Sequence, residues 1–270
     1  MLRTRHLFDE MHKKAVDTGM DPFRVLSDDV LEHILSLMPG DEALQTCVLG
    51  TQWRDLWRRK TNLRFIFENW SSFSGERFNK LVKLIIHLRG DASLTNCHIN
   101  PYSDEDYINF TEAKLLVEYV LKCRVEKLSI CASDIFGCSH KKCLLLNGLS
   151  NVVDLKLIAA PELPIFKRDL EWCPKFDKLK TLKLNDWFTA TDLVCILQHS
   201  PNLEKLTLKI DFPENFVGGD GSMQSFVCLP HLVVNIKCRK VDNIVRKILD
   251  VLRTCGILLE QISIKCRDRT

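Results

Sequence analysis

The chain has 270 residues, 46% of them hydrophobic and 27% charged, with a formal net charge of +3. That is enough apolar material for one large domain or two smaller ones, and the charge is too balanced to mark a nucleic-acid-binding protein by itself. No apolar run approaches the ~20 residues a membrane span needs, and the opening MLRTRHLFDEMHKK has no apolar segment of the kind a secretory signal carries. The 12 cysteines include no CxxC pair. Together these features predict reduced, mostly buried thiols in a protein of the nucleus or cytoplasm. The sequons at Asn69 and Asn109 then read as chance matches.

Residues 25–57, VLSDDVLEHILSLMPGDEALQTCVLGTQWRDLW, read as three short helices. Ser27 suits a helix cap, and Asp28 and Asp29 suit its positive first turn. Val30, Leu31, Ile34, Leu35 and Met38 share one face at helical spacing, and Pro39-Gly40 end the helix. Asp41 suits the cap of a second helix with Leu44, Cys47 and Val48. A third places Trp53, Leu56 and Trp57 on one face beside Arg54, Arg58 and Arg59. So short a block cannot bury all its apolar surface internally. The surplus faces either the rest of the chain or another protein.

The order Leu26, Asp28-Asp29-Val30-Leu31, Ile34-Leu35-Ser36, Met38-Pro39, Val48-Leu49, Trp53-Arg54, Leu56-Trp57 resembles the F-box, in its plant form LPDDVL, HILSLLP, TSVLSKRWRNLW. The resemblance covers about 45 residues and rests on many fixed spacings at once. It implies a Skp-type linker protein as partner and, through it, a cullin–RING ubiquitin ligase. Leu26, Val30, Leu31, Ile34, Leu35 and Met38 match the linker-facing set. Val48, Trp53 and Trp57 match the set that holds the helices together, with Val48 and Trp53 also assigned to the linker contact. Two departures stand out: Ser27 replaces the family's proline, removing a rigid apolar contact, and Gly50-Thr51-Gln52 replace Ser-Lys-Arg.

The remainder repeats the pattern L-x-x-L-x-L. Units begin at Leu94, Val125, Val152, Leu179, Leu203, Leu229 and Leu259, 24 to 31 residues apart. That period belongs to leucine-rich repeats, each contributing one short parallel strand to a solenoid. Helical periodicity recurs between units, over residues 77–87, 111–123, 192–199 and 241–253, with Gly256 as a stop after the last. The array resembles the leucine-rich repeats of plant F-box proteins. The asparagine or cysteine usual five places after the second leucine is replaced by Tyr102, Ser133, Ala160, Trp187, Asp211, Lys237 and Arg267, so an asparagine ladder is not expected. The predicted fold class is α/β, a helical F-box followed by a curved leucine-rich-repeat solenoid with a parallel sheet. Its divisions are a tail over 1–21, the F-box over 22–68 and the solenoid over 69–270.

With the leucines inward, positions three, five and seven of each unit face the open side of the sheet. Lys127, Lys156, Lys183, Lys205, Lys209 and Lys265 lie there with one acidic residue, Asp154. This face is expected to be basic, and the first five of these lysines are candidate contacts for an acidic or phosphorylated target. The bland reading of the same residues is ordinary solvation of exposed strands. Cys131, Cys138, His140 and Cys143 lack the close cysteine pair of a zinc site. The stretch GGDGS at 218–222 lacks the lysine of a phosphate loop, and no nucleophile–base spacing is evident. The expectation is a non-catalytic ubiquitin-ligase adaptor that recruits a target protein, with no cofactor, metal, nucleic acid or membrane partner. The alternative is a stand-alone leucine-rich-repeat binding module with a degenerate F-box. A small-molecule receptor is a third reading, disfavoured by the short array.

Overall fold

A computed structural model describes residues 23, 25–38, 40–46, 49, 51–66, 75–100, 110–132, 146–159, 175–211 and 229–266. Three helices come first: α1 (Asp28–Leu37), α2 (Gly40–Gln45) and α3 (Thr51–Arg59). Ser27 holds the cap position of α1 in extended geometry, φ −67° and ψ 154°, but its side chain makes no capping bond. Asp28 instead reaches across to α3, accepting from Arg59 at 2.8 Å and Gln52 at 3.1 Å. The bond from Arg59 holds the Asp28 carboxyl below its ordinary pKa. Asp41 lies inside α2 and is not its cap.

The sheet has eight parallel strands in chain order: β1 (Asn62–Ile66), β2 (Asn96–Asn100), β3 (Lys127–Ala132), β4 (Asp154–Ala159), β5 (Thr181–Asn185), β6 (Lys205–Ile210), β7 (Val233–Cys238) and β8 (Ile262–Cys266). Seven match the units counted in the sequence. The extra one, β1, lies within the stretch assigned to the helical block. It pairs with β2 and turns Leu63 and Phe65 into the core. β2, β4, β5, β6 and β7 alternate as the units require, with the even positions buried.

One unit is out of register by two residues. Leu206 and Leu208 pair with Val234 and Ile236, not with Leu232 and Val234. The apparent start at Leu229 comes from two leucines in the turn before β7; Pro230 between them has no N–H to give a ladder. A shift of two preserves the faces. It moves Val233, Asn235 and Lys237 into open-face positions three, five and seven, and it moves Arg239 into the place of the consensus asparagine.

Helices α4 (Gly75–Arg89), α5 (Phe110–Lys122), α6 (Ala190–Gln198) and α7 (Asn243–Thr254) agree with the helical stretches expected between units. Apolar residues of α5, α6 and α7, among them Val120, Leu193 and Ile248, join the strand leucines in one core. α6 begins with a capping box: Thr189 Oγ1 accepts from the Asp192 amide, and Asp192 Oδ2 accepts from the Thr189 amide at 2.9 Å. Asp242 caps α7, its Oδ1 accepting from the amides of Ile244 and Val245, both at 3.0 Å. Gly256, at φ +84°, ends that helix in the left-handed region that glycine tolerates best.

Individual side chains tie strands together where an asparagine ladder is not expected. Asn185 bonds both the N–H and the C=O of Ala159, at 2.9 and 2.7 Å. Trp187 Nε1 donates to Leu157 O. Gln261 Nε2 donates to Leu232 O at 2.8 Å and Leu229 O at 3.0 Å, joining the turn before β8 to the turn before β7. The thiols are mixed: Cys97, Cys123 and Cys238 are free and buried and Cys255 is buried, but Cys195 is disulfide-bonded, which corrects the expectation of wholly reduced cysteines.

Two buried cations fasten the helices to the sheet. Lys60 is 6% exposed, donates to Leu35 O and lies 5.3 Å from the centre of the Trp57 ring. Arg89, at the end of α4, donates to the carbonyls of Trp57, Lys60, Ala92 and Ser93. Those carbonyls belong to the last turn of α3, its exit, and the turn leading to β2, so one guanidinium satisfies three neighbouring pieces of chain.

Candidate functional site

The apolar arc of α1 is wider than the described residues cover. At 100° per residue it runs from Leu37 through Val30, Ile34 and Met38 to Leu31 and Leu35, about 160° in all. Leu31 and Leu35 face inward and are fully buried with Leu56, Trp53 and Trp57. The other half faces out: Val30 is 45% exposed and Leu37 64% exposed, with Ile34 half-buried between them. Leu26 and Met38 are likewise half-buried against the core, and Val25 is exposed.

This placement divides the linker set expected from the sequence into a buried and an accessible part. Leu31, Leu35 and Trp53 are buried in the core. Trp53 meets Phe23 edge to face, with ring centres 5.1 Å apart. Leu26, Val30, Ile34 and Met38 stay accessible, and Leu37, absent from the expected set, is the most exposed member of the strip within α1. Leu37 was missed because the inward and outward halves look alike on a helical wheel. Val48 lies outside the described residues. Beside α1 is a cleft of about 310 Å3 with Asp29, Glu32, His33 and Arg59 on its walls. Val30, Ile34 and Leu37 are not among its lining residues, so the cleft lies to one side of the apolar strip.

The open side of the sheet carries the lysines. Lys156 and Lys183 are direct register partners. Lys183 pairs with Thr207, so Lys205 and Lys209 lie two residues to either side of that neighbour and are separated from each other along β6. They do not form a single row. Lys127 is the register partner of Asp154, the one acidic residue of this face. Lys209 is in contact with Asp211 at 2.5 Å. The densest run lies elsewhere: Lys209 pairs with Lys237, and Lys237 with Lys265. Lys237 was placed outside the open face by the misread register, and Lys265 was not counted among the contacts.

Among the described residues no group of three or more His, Cys, Asp or Glu side chains could hold a metal ion. Of the cluster Cys131, Cys138, His140 and Cys143, only Cys131 is described; it is half-buried, and burial raises its thiol pKa. The stretch 218–222 and both sequons lie outside the described residues.

No family model matches the chain. Individual proteins do. The chain is 26% identical over 216 residues to an F-box/LRR-repeat protein of Arabidopsis thaliana, covering 75% of this chain and 40% of that one. It is 27% identical over 185 residues to an F-box/FBD/LRR-repeat protein of the same plant, covering 59% and 40%. It is 25% identical over 221 residues to an FBD-associated F-box protein, also from Arabidopsis thaliana, covering 77% and 53%. The chain spans about 40% of the length of the first two of these relatives. The alternating strands, the helices before them and these similarities agree: the chain is a homologue of the plant F-box/LRR-repeat proteins.

Proposed function

We propose that this chain is a non-catalytic adaptor subunit of a cullin–RING ubiquitin ligase. In this reading the outward strip of α1 receives a Skp-type linker protein, and the open face of the sheet receives a target protein. The adaptor performs no bond chemistry; it raises the concentration of target near the catalytic partner. The observation that carries the reading is the strip of Val30, Ile34 and Leu37, apolar residues at helical spacing of which Val30 and Leu37 are exposed and Ile34 is half-buried among the described residues. Isolated exposed apolar residues are ordinary, but an aligned strip beside a polar rim has the make-up of a contact surface. Homology to proteins named for an F-box supports it.

The test is co-purification of the full chain with a plant Skp-type linker. Replacing Val30 and Leu37 by aspartate places two charges where a partner would desolvate them, so linker capture should fall at least about tenfold. Both positions are exposed, so the melting profile should stay that of the unsubstituted protein. Undiminished capture by the doubly substituted chain would overturn the adaptor reading in favour of a repeat module that acts alone.

A further inference from the structure

Lys209, Lys237 and Lys265 stand in register on three successive strands, at the ends where β6, β7 and β8 finish. Neighbouring strands are about 4.8 Å apart, so the three side chains rise from one row. Like charges placed opposite each other work against strand pairing. Asp211 offsets Lys209. Lys237 and Lys265 are exposed and make no ion pair among the described residues. The adjacent open-face row holds Thr207, Asn235 and Ser263, also in register and about 6.6 Å along the strands. Those three can donate hydrogen bonds without adding negative charge. Lys205 lies beyond them on β6.

We propose that this ladder binds a phosphoryl group carried on a segment of a partner protein. The inference deepens the target-binding half of the proposed function and rests on it. A phosphoryl group brings about −1.5 to −2 of charge and three acceptor oxygens. One such group neutralises Lys237 and Lys265 together and still accepts from the Asn235 amide or the Ser263 hydroxyl. A single carboxylate leaves the row with excess positive charge. Nucleic acid fits less well: single strands are held by aromatic platforms on which bases stack. None of the open-face positions of β1 to β8 carries phenylalanine, tyrosine or tryptophan.

The experiment uses the full chain and fluorescence anisotropy at about 50 mM salt, where charge attraction is least screened. Four labelled probes are compared: an octapeptide pool of random sequence around a central phosphoserine, the same pool with serine, the same pool with glutamate, and a ten-residue oligouridylate. The phosphoserine pool should bind about tenfold more tightly than the serine and glutamate pools. Lys237→Glu with Lys265→Glu should abolish the preference, whereas Lys247→Glu on the exposed side of α7 should keep it. Equal binding of the phosphoserine and serine pools overturns the proposal, as does an unchanged preference in the doubly substituted chain. Glutamate binding as tight as phosphoserine assigns the ladder to acidic peptides instead, and tighter oligouridylate assigns it to RNA; either result overturns the phosphoryl site. Linker capture is read on the same preparations. Linker capture retained without the phosphoserine preference sinks the ladder and leaves the adaptor reading standing. Linker capture lost with the preference intact does the reverse.

Discussion

Replacing Lys60 with methionine should make the protein more stable at neutral pH and remove one component of its pH dependence. Lys60 is an ammonium held among apolar residues, and burial lowers its pKa from 10.5 to about 8, with the Arg89 and Arg64 charges acting in the same direction. Below pH 8 the group is charged in both the folded and unfolded chain, so the full penalty is present at pH 7. Between about 8 and 10.5 the folded chain releases its proton while the unfolded chain keeps it, so stability from this group rises with pH. A shift of about 2.5 units corresponds to about 3 kcal/mol. Methionine removes that penalty but forfeits the bond to Leu35 O, worth about 1 kcal/mol. The variant should therefore exceed the unsubstituted protein by about 2 kcal/mol at pH 7. The gap should shrink by about 1.4 kcal/mol at pH 9 and close near pH 10. Urea unfolding followed by tryptophan fluorescence, on both chains from pH 7 to 10, measures it, and groups common to the two cancel. A difference that does not change with pH, or a methionine variant that is the weaker at pH 7, would refute the reasoning.

Ser27→Pro should stabilise the chain by about 0.4–1 kcal/mol, because φ at −67° already suits the proline ring and the serine side chain makes no capping bond to lose. A thermal melt should show a rise of about 1–3 °C, and a fall would mean that the Ser27 amide or hydroxyl has a role in the first turn. Asp242→Ala should cost about 1 kcal/mol by leaving two amides of α7 without their acceptor, whereas Asp242→Asn should recover most of it. Urea midpoints of the three proteins separate the hydrogen bond from the charge; equal loss in both variants would assign the effect to charge alone.

The strands from β2 to β8 were legible because their leucines alternate, and alternation has one physical meaning when one face must be buried. β1 was not legible. NLRFI has only two inward apolar residues, Leu63 and Phe65, and directly follows a helix rich in tryptophan and arginine. The slip before β7 arose because Leu229 and Leu232 lie in the turn before the strand and mimic the leucines of a unit; both are buried there. The helical surface was half legible. Periodicity found the arc, but only packing decides that Leu31 and Leu35 go in while Val30 and Leu37 stay out. Lys60 and Arg89 gave no signal, since a buried cation and a solvated one are the same letter.

The carbonyl clamp made by Arg89 has a mechanical consequence. A hinge needs a few backbone positions free to rotate, and the segment between α3 and β2 offers none at the point where a single guanidinium grips both sides. A torque applied at α1 is therefore transmitted into the sheet with little give. The clamp thus gives the helices and the strands a second connection, beside the chain itself, through which what is held on one is positioned against what is held on the other.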